Sequence, residues 1–497
     1  MTRLHPSLQP FKPTEAQPYD WRLAAHLWNR AGFGGTAAEI ERAVGQGPDA
    51  AVDALMDFPD AGADEQSETD VPDLSTIDGY PRNFRELQKL YAGKSPEEKR
   101  EIRQKLQRDN AQAVQATVAW WMKRMAYGPY PLQEKLTLFW HGHFTTSAKD
   151  ERSAWNMWRQ NELHRRMGAG NFKKYVHLIS RDPAMLDYLN NSQNKKAHPN
   201  ENYARELMEL FTLGIGNYTE DDIKQGARAF TGWAHDGDDY IFRKYDHDEG
   251  PKTIFGKTGN YNGDEFVDLI FEQPACAKYV ARRLFEHFAY PNPEDAVVDS
   301  LAQVFKENKW ELRPVVRTIL TSKAFYSDRA VGVQIKSPVQ LVVGTARQLG
   351  VEVPRLRGIN GALGQMGQVP FFPPNVKGWP GGHLWINTST LFVRYNTAVF
   401  LAGGATLPET KNVRGNFGKG FFRSGGGGEA VDFKPATPKE PADQLVDEWV
   451  ARLIGRPIAD DKRQVLVDAV VQGTPEKAET VKKLVQLIVS MPEYQLC

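Results

Sequence analysis

Helix punctuation constrains this chain more than any other feature. Ser95-Pro96-Glu97-Glu98 puts Ser at an N-cap, Pro at the first helical position and Glu at the third. That arrangement satisfies free backbone N–H groups at a helix start. Val114, Val118, Trp121 and Met125 then recur along one face, and Gly128-Pro129 stops the pattern, so one helix is predicted from Pro96 to about Ala126. The grammar repeats. Arg22 to Trp28 has helical spacing and ends in Gly32, Gly34 and Gly35; Thr36 with Glu39 caps the next helix. Pro131-Leu132-Gln133-Glu134 opens another, carrying Leu136, Phe139 and Trp140, and a Trp-rich helix follows at roughly 150–167. Asn200 is read as the cap of a helix reaching Leu213 and closed by Gly214, and Thr219 as the cap of one running to Phe230. Helical patterns resume over 264–350, and residues 441–492 read as two or three amphipathic helices. The expected fold is mainly α, a large multi-helix globular protein.

Five stretches break the pattern. Met1 to Pro18 is Pro-rich and polar and reads as a tail, and residues 59–82 form an acidic loop. Over 235–263 aromatic and polar residues mix with Gly and Asp, and Tyr240-Ile241-Phe242-Arg243 has strand character, so a small β-hairpin or long ordered loop is expected there. Gly358 to Gly382 is rich in Gly and Pro, and residues 408–440, with Gly425-Gly426-Gly427-Gly428, read as a flexible insertion. The expected division is a tail (1–18), a main helical domain (19–350), Gly/Pro-rich loops and linker (351–440) and C-terminal helices packing on the main domain (441–497).

Composition narrows the function classes. Lys+Arg and Asp+Glu are 62 each, so the net charge is zero and no basic excess points to nucleic acid. Two cysteines, Cys276 and Cys497, are too few for a disulfide framework or a Cys-type zinc site, and Cys497 is expected to be exposed. No stretch approaches the ~20 apolar residues of a membrane helix. The first thirty residues hold no apolar run suited to a signal peptide, which favours the cytoplasm; export with a partner to the periplasm or outside is the alternative.

Five segments carry side chains capable of chemistry. In Leu138-Phe139-Trp140-His141-Gly142-His143-Phe144, two imidazoles could serve one divalent metal ion of unspecified identity where the helix ends, with Glu134 orienting His141 from two turns away. The plainer and commoner reading is that both histidines satisfy backbone groups in an aromatic cluster. In Asn200-Glu201-Asn202-Tyr203-Ala204-Arg205-Glu206-Leu207-Met208-Glu209, the residues Asn202, Arg205, Glu206 and Glu209 share a polar face. Glu206 and Glu209 could act as acid and base or bind metal beside Arg205; an exposed helix laced by pairs such as Glu201–Arg205 is the plainer reading. Asp246-His247-Asp248-Glu249-Gly250-Pro251-Lys252 is a dense titratable loop, equally readable as turn chemistry. The polar stretch Asn190-Asn191 to Lys195-Lys196 could contact a polar ligand. In Phe371 to Trp385, Trp379 and Trp385 could stack on a ligand, although plugging the core is favoured. Asn191, Asn202, Lys252, Trp379 and Trp385 are therefore the candidate substrate contacts, and His247 and Asp248 join Arg205, Glu206 and Glu209 as candidate catalytic groups.

Taken in order, these segments resemble the bacterial domain-of-unknown-function-1800 family from about His26 to the C-terminus. The resemblance rests on His26-Leu27-Trp28-Asn29-Arg30-Ala31-Gly32-Phe33-Gly34, the His141 and Asn200 segments, Asp182-Pro183-Ala184-Met185-Leu186, Ala229-Phe230-Thr231-Gly232-Trp233, Asp246-His247-Asp248 with Lys252, Pro373 to Gly382, and Met491-Pro492-Glu493-Tyr494-Gln495. It implies a mostly helical fold. It also implies a second family as neighbour, domain of unknown function 1501, which resembles alkaline phosphatases and sulfatases. Members of both families look exported. The resemblance brings no reaction.

Three functions are compatible with these residues. The favoured one is a metal-dependent hydrolase in which His141 and His143 ligate the ion and Glu206, Glu209, His247 or Asp248 complete the site. The second is a non-catalytic binding or assembly partner of the phosphatase/sulfatase-like protein. The third is a metal-free enzyme using paired carboxylates, as a glycosidase does.

Overall fold

Ser95 and Glu98 form a complete capping box at the start of the Pro96–Tyr127 helix, and Gly128 closes it. Thr36 and Glu39 do the same for Ala37–Gln46, and Thr219 with Asp222 for Glu220–Ala229. The computed structural model describes residues 4–59, 71–150, 153–353, 356–404, 431–437, 440–473 and 477–497. The expected insertion near 408–440 falls largely outside them, as do residues 60–70 of the acidic loop at 59–82. Among the described residues are twenty-one α-helices, and the β-structure is confined to two antiparallel hairpins. No described helix is long and apolar enough to cross a membrane.

Buried apolar residues fall into two clusters. The first joins the N-terminal helices to residues 131–330; the second joins the buried half of the Pro96–Tyr127 helix, from Ala113 on, to residues 339–494. The Pro131–His143 helix lies between them. Leu132, Leu136, Phe139 and Trp140 enter the first cluster and Leu138 the second. All its residues except Gly142 are buried, so this helix has no solvent face.

The 235–263 region holds both hairpins. Trp233–Asp236 pairs with Asp239–Phe242, in the register Trp233 to Phe242, and Lys252–Ile254 pairs with Lys257–Gly259. The stretch between them carries Asp246, His247 and Asp248.

Several expectations need revision. The Gly358–Gly382 stretch opens inside a helix, Leu356–Met366, and a second helix, Thr388–Leu401, is capped by Asn387. Ile359, Leu363 and Met366 are buried, so apolar spacing overrides the glycines there. The N-terminal stretch docks: Leu8 and Phe11 are buried, and Ser7, Gln9 and Phe11 exchange backbone hydrogen bonds with Ala324, Lys323 and Thr321. Cys497 is buried as well, because residues 495–497 pair with Gln334 and Lys336. The Asn200 helix starts at Asn202, and after Glu206 it widens into a π-helix over Leu207–Thr212. There the Leu213 N–H reaches back five residues to the Met208 carbonyl at 2.9 Å.

Candidate functional site

His141 and His143 do not face a common centre. The helix continues through His143, and two residues along a helix are turned by about 200°. His141 enters an aromatic pocket of Trp121, Phe371, Trp379 and His164; His143 packs against Phe139, Phe144, Phe211 and Tyr279. Both are neutral, because burial pushes each imidazole down to about 3. The Phe371 N–H donates to His141 Nε2 at 3.2 Å, which places the His141 proton on Nδ1. His143 Nε2–H donates to the Phe211 carbonyl at 2.9 Å and so caps the π-helix, whose terminal carbonyls have no partner inside the helix. The Tyr279 hydroxyl caps the Leu210 carbonyl at 2.7 Å in the same way.

Glu134 does not orient His141. Its carboxylate accepts from Trp121 Nε1 at 2.9 Å, Arg124 Nε at 2.5 Å, and Arg165 Nε and Nη2 at 2.7 and 2.9 Å. Burial works to raise the Glu134 carboxyl, but Arg165 and Arg124 outweigh it and hold it below the usual range. Among the described residues no three His, Cys, Asp or Glu side chains are gathered so as to hold a metal ion. The two histidines are thus a poor fit for a shared ion.

On the second segment, the Arg205 guanidinium pairs with Glu201 at 3.0 Å and with Glu220 at 2.9 Å. The expected Glu201–Arg205 pair is therefore present. Glu209 accepts the Tyr218 hydroxyl at 2.6 Å. Burial and the neighbouring Glu209 charge raise the Glu206 carboxyl, against the pull of Arg205 and Lys377. Asn202 Nδ2 donates to the Leu189 carbonyl at 3.4 Å. Asn191 is buried and ties Trp233 and Asn194 together, so it braces the first hairpin from inside.

Trp379 is half-buried over the end of the Pro131–His143 helix, its ring against Gly142. That approach requires Gly378: a Cβ there would lie 2.2 Å from the Gly142 carbonyl oxygen, and φ is +79°. Trp385 is buried, so it fills the core and offers no stacking face.

The third segment forms a concavity. Lys196, Lys244, Tyr245, His247, Asp248 and Glu249 line an open hollow of about 690 Å³. Thr231 and Arg228 build it from below. The Thr231 hydroxyl donates to the Arg228 carbonyl at 2.7 Å and accepts the Asp248 N–H at 2.8 Å. Arg228 grips the Asp248 carboxylate through Nε and Nη2 at 2.7 and 3.1 Å, and this pairing holds the Asp248 carboxyl below the usual range. The Lys252 ammonium is taken up by the carbonyls of Asp248 and Gly250 at 2.6 and 3.0 Å, so it braces the loop. His247 Nδ1 lies 2.8 Å from the Thr231 carbonyl. A carbonyl only accepts, so Nδ1 carries the proton and Nε2 keeps its lone pair. Tyr245 stands at the rim, 85% exposed, with the Lys196 ammonium 4.8 Å from its ring centre.

Sequence reasoning placed His247 and Asp248 here and flagged Lys196 as able to meet a polar ligand. It missed Arg228, Thr231, Lys244 and Tyr245, and it missed His164 beside His141. Thr231 lies within Phe230-Thr231-Gly232-Trp233, which sequence alone offered only as a landmark.

Fold and hollow define a mainly helical protein with one polar, histidine-bearing surface loop held rigid from beneath. The chain belongs to the family described as Protein of unknown function (DUF1800), whose model matches residues 26–496. No curated protein and no solved structure matches it.

Proposed function

We propose that the protein is a hydrolase whose general base is His247, acting on a substrate that carries negative charge. One observation carries this reading. The Thr231 carbonyl fixes the His247 tautomer, leaving a basic nitrogen in a hollow that also presents Lys196 and Lys244. In this scheme Nε2 takes a proton from water as the water attacks. The two ammonium groups bind the anionic substrate and offset the charge that develops. Asp248, Arg228 and Lys252 position the loop.

The test is turnover of chromogenic phosphate mono- and diesters, sulfate esters and carboxylate esters. The assay is run in chelator and again with added zinc or manganese, because a neutral imidazole nitrogen can serve as base or as ligand. H247Q should lower kcat by about 10²–10⁴-fold, the range of general-base catalysis. K196Q and K244Q should raise KM. Turnover that H247Q leaves unchanged, or no turnover under any condition, overturns the reading.

A second reading has its own support: burial and the Glu209 charge raise the Glu206 carboxyl, which suits it to act as an acid on that helix face. E206Q in the same assay, extended to aryl glycosides, separates the two. Loss in E206Q with H247Q intact would move the chemistry to that helix face.

A further inference from the structure

Four basic side chains meet in the interior on separate elements. Arg30 ends the Trp21–Ala31 helix, Lys135 lies on Pro131–His143, Lys336 immediately precedes the Ser337-capped Pro338–Leu349 helix, and Arg394 is on Thr388–Leu401. All four are more than nine-tenths buried. Their exposures are 1%, 6%, 3% and 0% respectively. They sit where the two apolar clusters meet: Lys135 Nζ donates to Gln340 Oε1 at 3.0 Å, and Gln340 Nε2 donates to the Asn29 carbonyl at 2.7 Å.

Their donors outnumber their acceptors. Arg30 Nη2 donates to the His287 carbonyl at 2.8 Å, yet its Nη1 is buried with no partner. Arg394 donates to Gln495 Oε1 at 2.8 Å and to the Lys336 carbonyl at 2.6 Å, yet its Nη1 is also buried with no partner. Gln495 Nε2 and His287 Nε2 are in the same state. Buried donors in a native protein are paired, and an orphan calls for an ordered water or ion.

Charge adds to the imbalance. Lys135 feels Arg30 as a like charge, Lys336 feels Arg394, and His287 feels Lys135, Arg30 and Arg283. The opposing charge common to all four cations is at Cys497. Burial is the largest influence on both lysines and pushes each down to about 7. A buried charge must be paired or give up its proton.

We infer that Arg30, Lys135, Lys336 and Arg394 form an internal binding site for a small inorganic anion. The anion takes the free Nη1 donors of the two arginines and adds to the negative charge at Cys497. Its arrival favours the protonated lysines, so binding is coupled to proton uptake. The site is independent of the His247 hollow, and its failure would leave the proposed hydrolase untouched.

The experiment titrates the full chain with phosphate, sulfate and chloride, each alone, at an ionic strength held constant with a bulky organic anion. Calorimetry in buffers of different ionisation enthalpy counts the protons. Saturable binding of one anion per chain, with protons taken up at pH 8, is the expected result. The three titrations distinguish an oxyanion site from a halide site. K336Q keeps a buried polar group and should weaken binding at least about tenfold, because charge-assisted hydrogen bonds are the strong ones; R394Q should do the same if it folds. No saturable binding of any of the three anions, equal affinity in K336Q, or binding without proton uptake overturns the assignment.

Discussion

Replacing Glu134 with Gln tests the electrostatics of the helix between the two apolar clusters. The carboxylate is 1% exposed and accepts four N–H donors from three side chains. A glutamine keeps the shape but offers one oxygen, so about half of those donors would face an N–H. It also removes the carboxylate that Arg124 holds and that Arg165 grips alongside Glu162. Breaking a buried ion pair from one side costs about 3–5 kcal/mol, a large share of a typical stability of about 5–15 kcal/mol. Urea unfolding of E134Q should show a lowered midpoint at an unchanged slope. Adding R165M should cost less in E134Q than in wild type, with a coupling of about 1–3 kcal/mol, because the Glu134 contact is already gone. The pH dependence has a definite sign. The Glu134 carboxyl lies lower in the folded chain than in the unfolded one, so its contribution is complete above the ordinary carboxylate range. It is lost as pH falls through the folded value, and the gap between wild type and E134Q should close there. An E134Q midpoint within ~0.5 kcal/mol of wild type, or strictly additive losses in the double variant, would refute the reasoning.

Two further outcomes follow from the same structure. His26, His141 and His143 are each pushed down to about 3, and His164 and His287 are lowered as well, chiefly by burial, so unfolding takes up five protons below the ordinary 6.5. Asp182, raised by burial to about 6, opposes them with one. Near pH 5 stability should therefore fall by about 5 kcal/mol per pH unit of acidification, and a flat midpoint from pH 6.5 to 4.5 would contradict the buried neutral histidines. Lys252→Met removes the brace on two carbonyls of the His247 loop, and amide hydrogen exchange over 246–250 should quicken by about ten- to a hundredfold with other helices unchanged. Unaltered exchange there would show that Arg228 and Thr231 fix the loop without Lys252.

Helix starts were legible because capping is local. Ser95, Thr36 and Thr219 each need only a partner three residues on, and all three form the bonds their spacing predicts. At the His141 segment the plainer reading holds: both histidines bond backbone groups among aromatic rings. The shared-ion reading assumed that the helix ends before them, whereas the buried helix runs through both and turns them apart. Nothing in the sequence shows that Glu134 would meet Arg124, ten residues back, and Arg165, thirty-one residues on. Glycines in 356–366 suggested a loop because propensity was weighed without the burial of Ile359, Leu363 and Met366. The loop at 246–248 was recognised from its titratable residues. Its supports, Thr231 and Arg228, come from another element, and only folding brings them under it.

The wide turn at Leu207–Thr212 makes chain length, rather than composition, the information stored there. A π-turn holds one more residue than the α-turn it replaces. Deleting one residue between 207 and 212 would let the turn close to ordinary α pitch with the helix beyond it still in phase. The wide turn carries the Leu210 and Phe211 carbonyls to the Tyr279 hydroxyl and to His143, so those two caps mark where the extra residue is held.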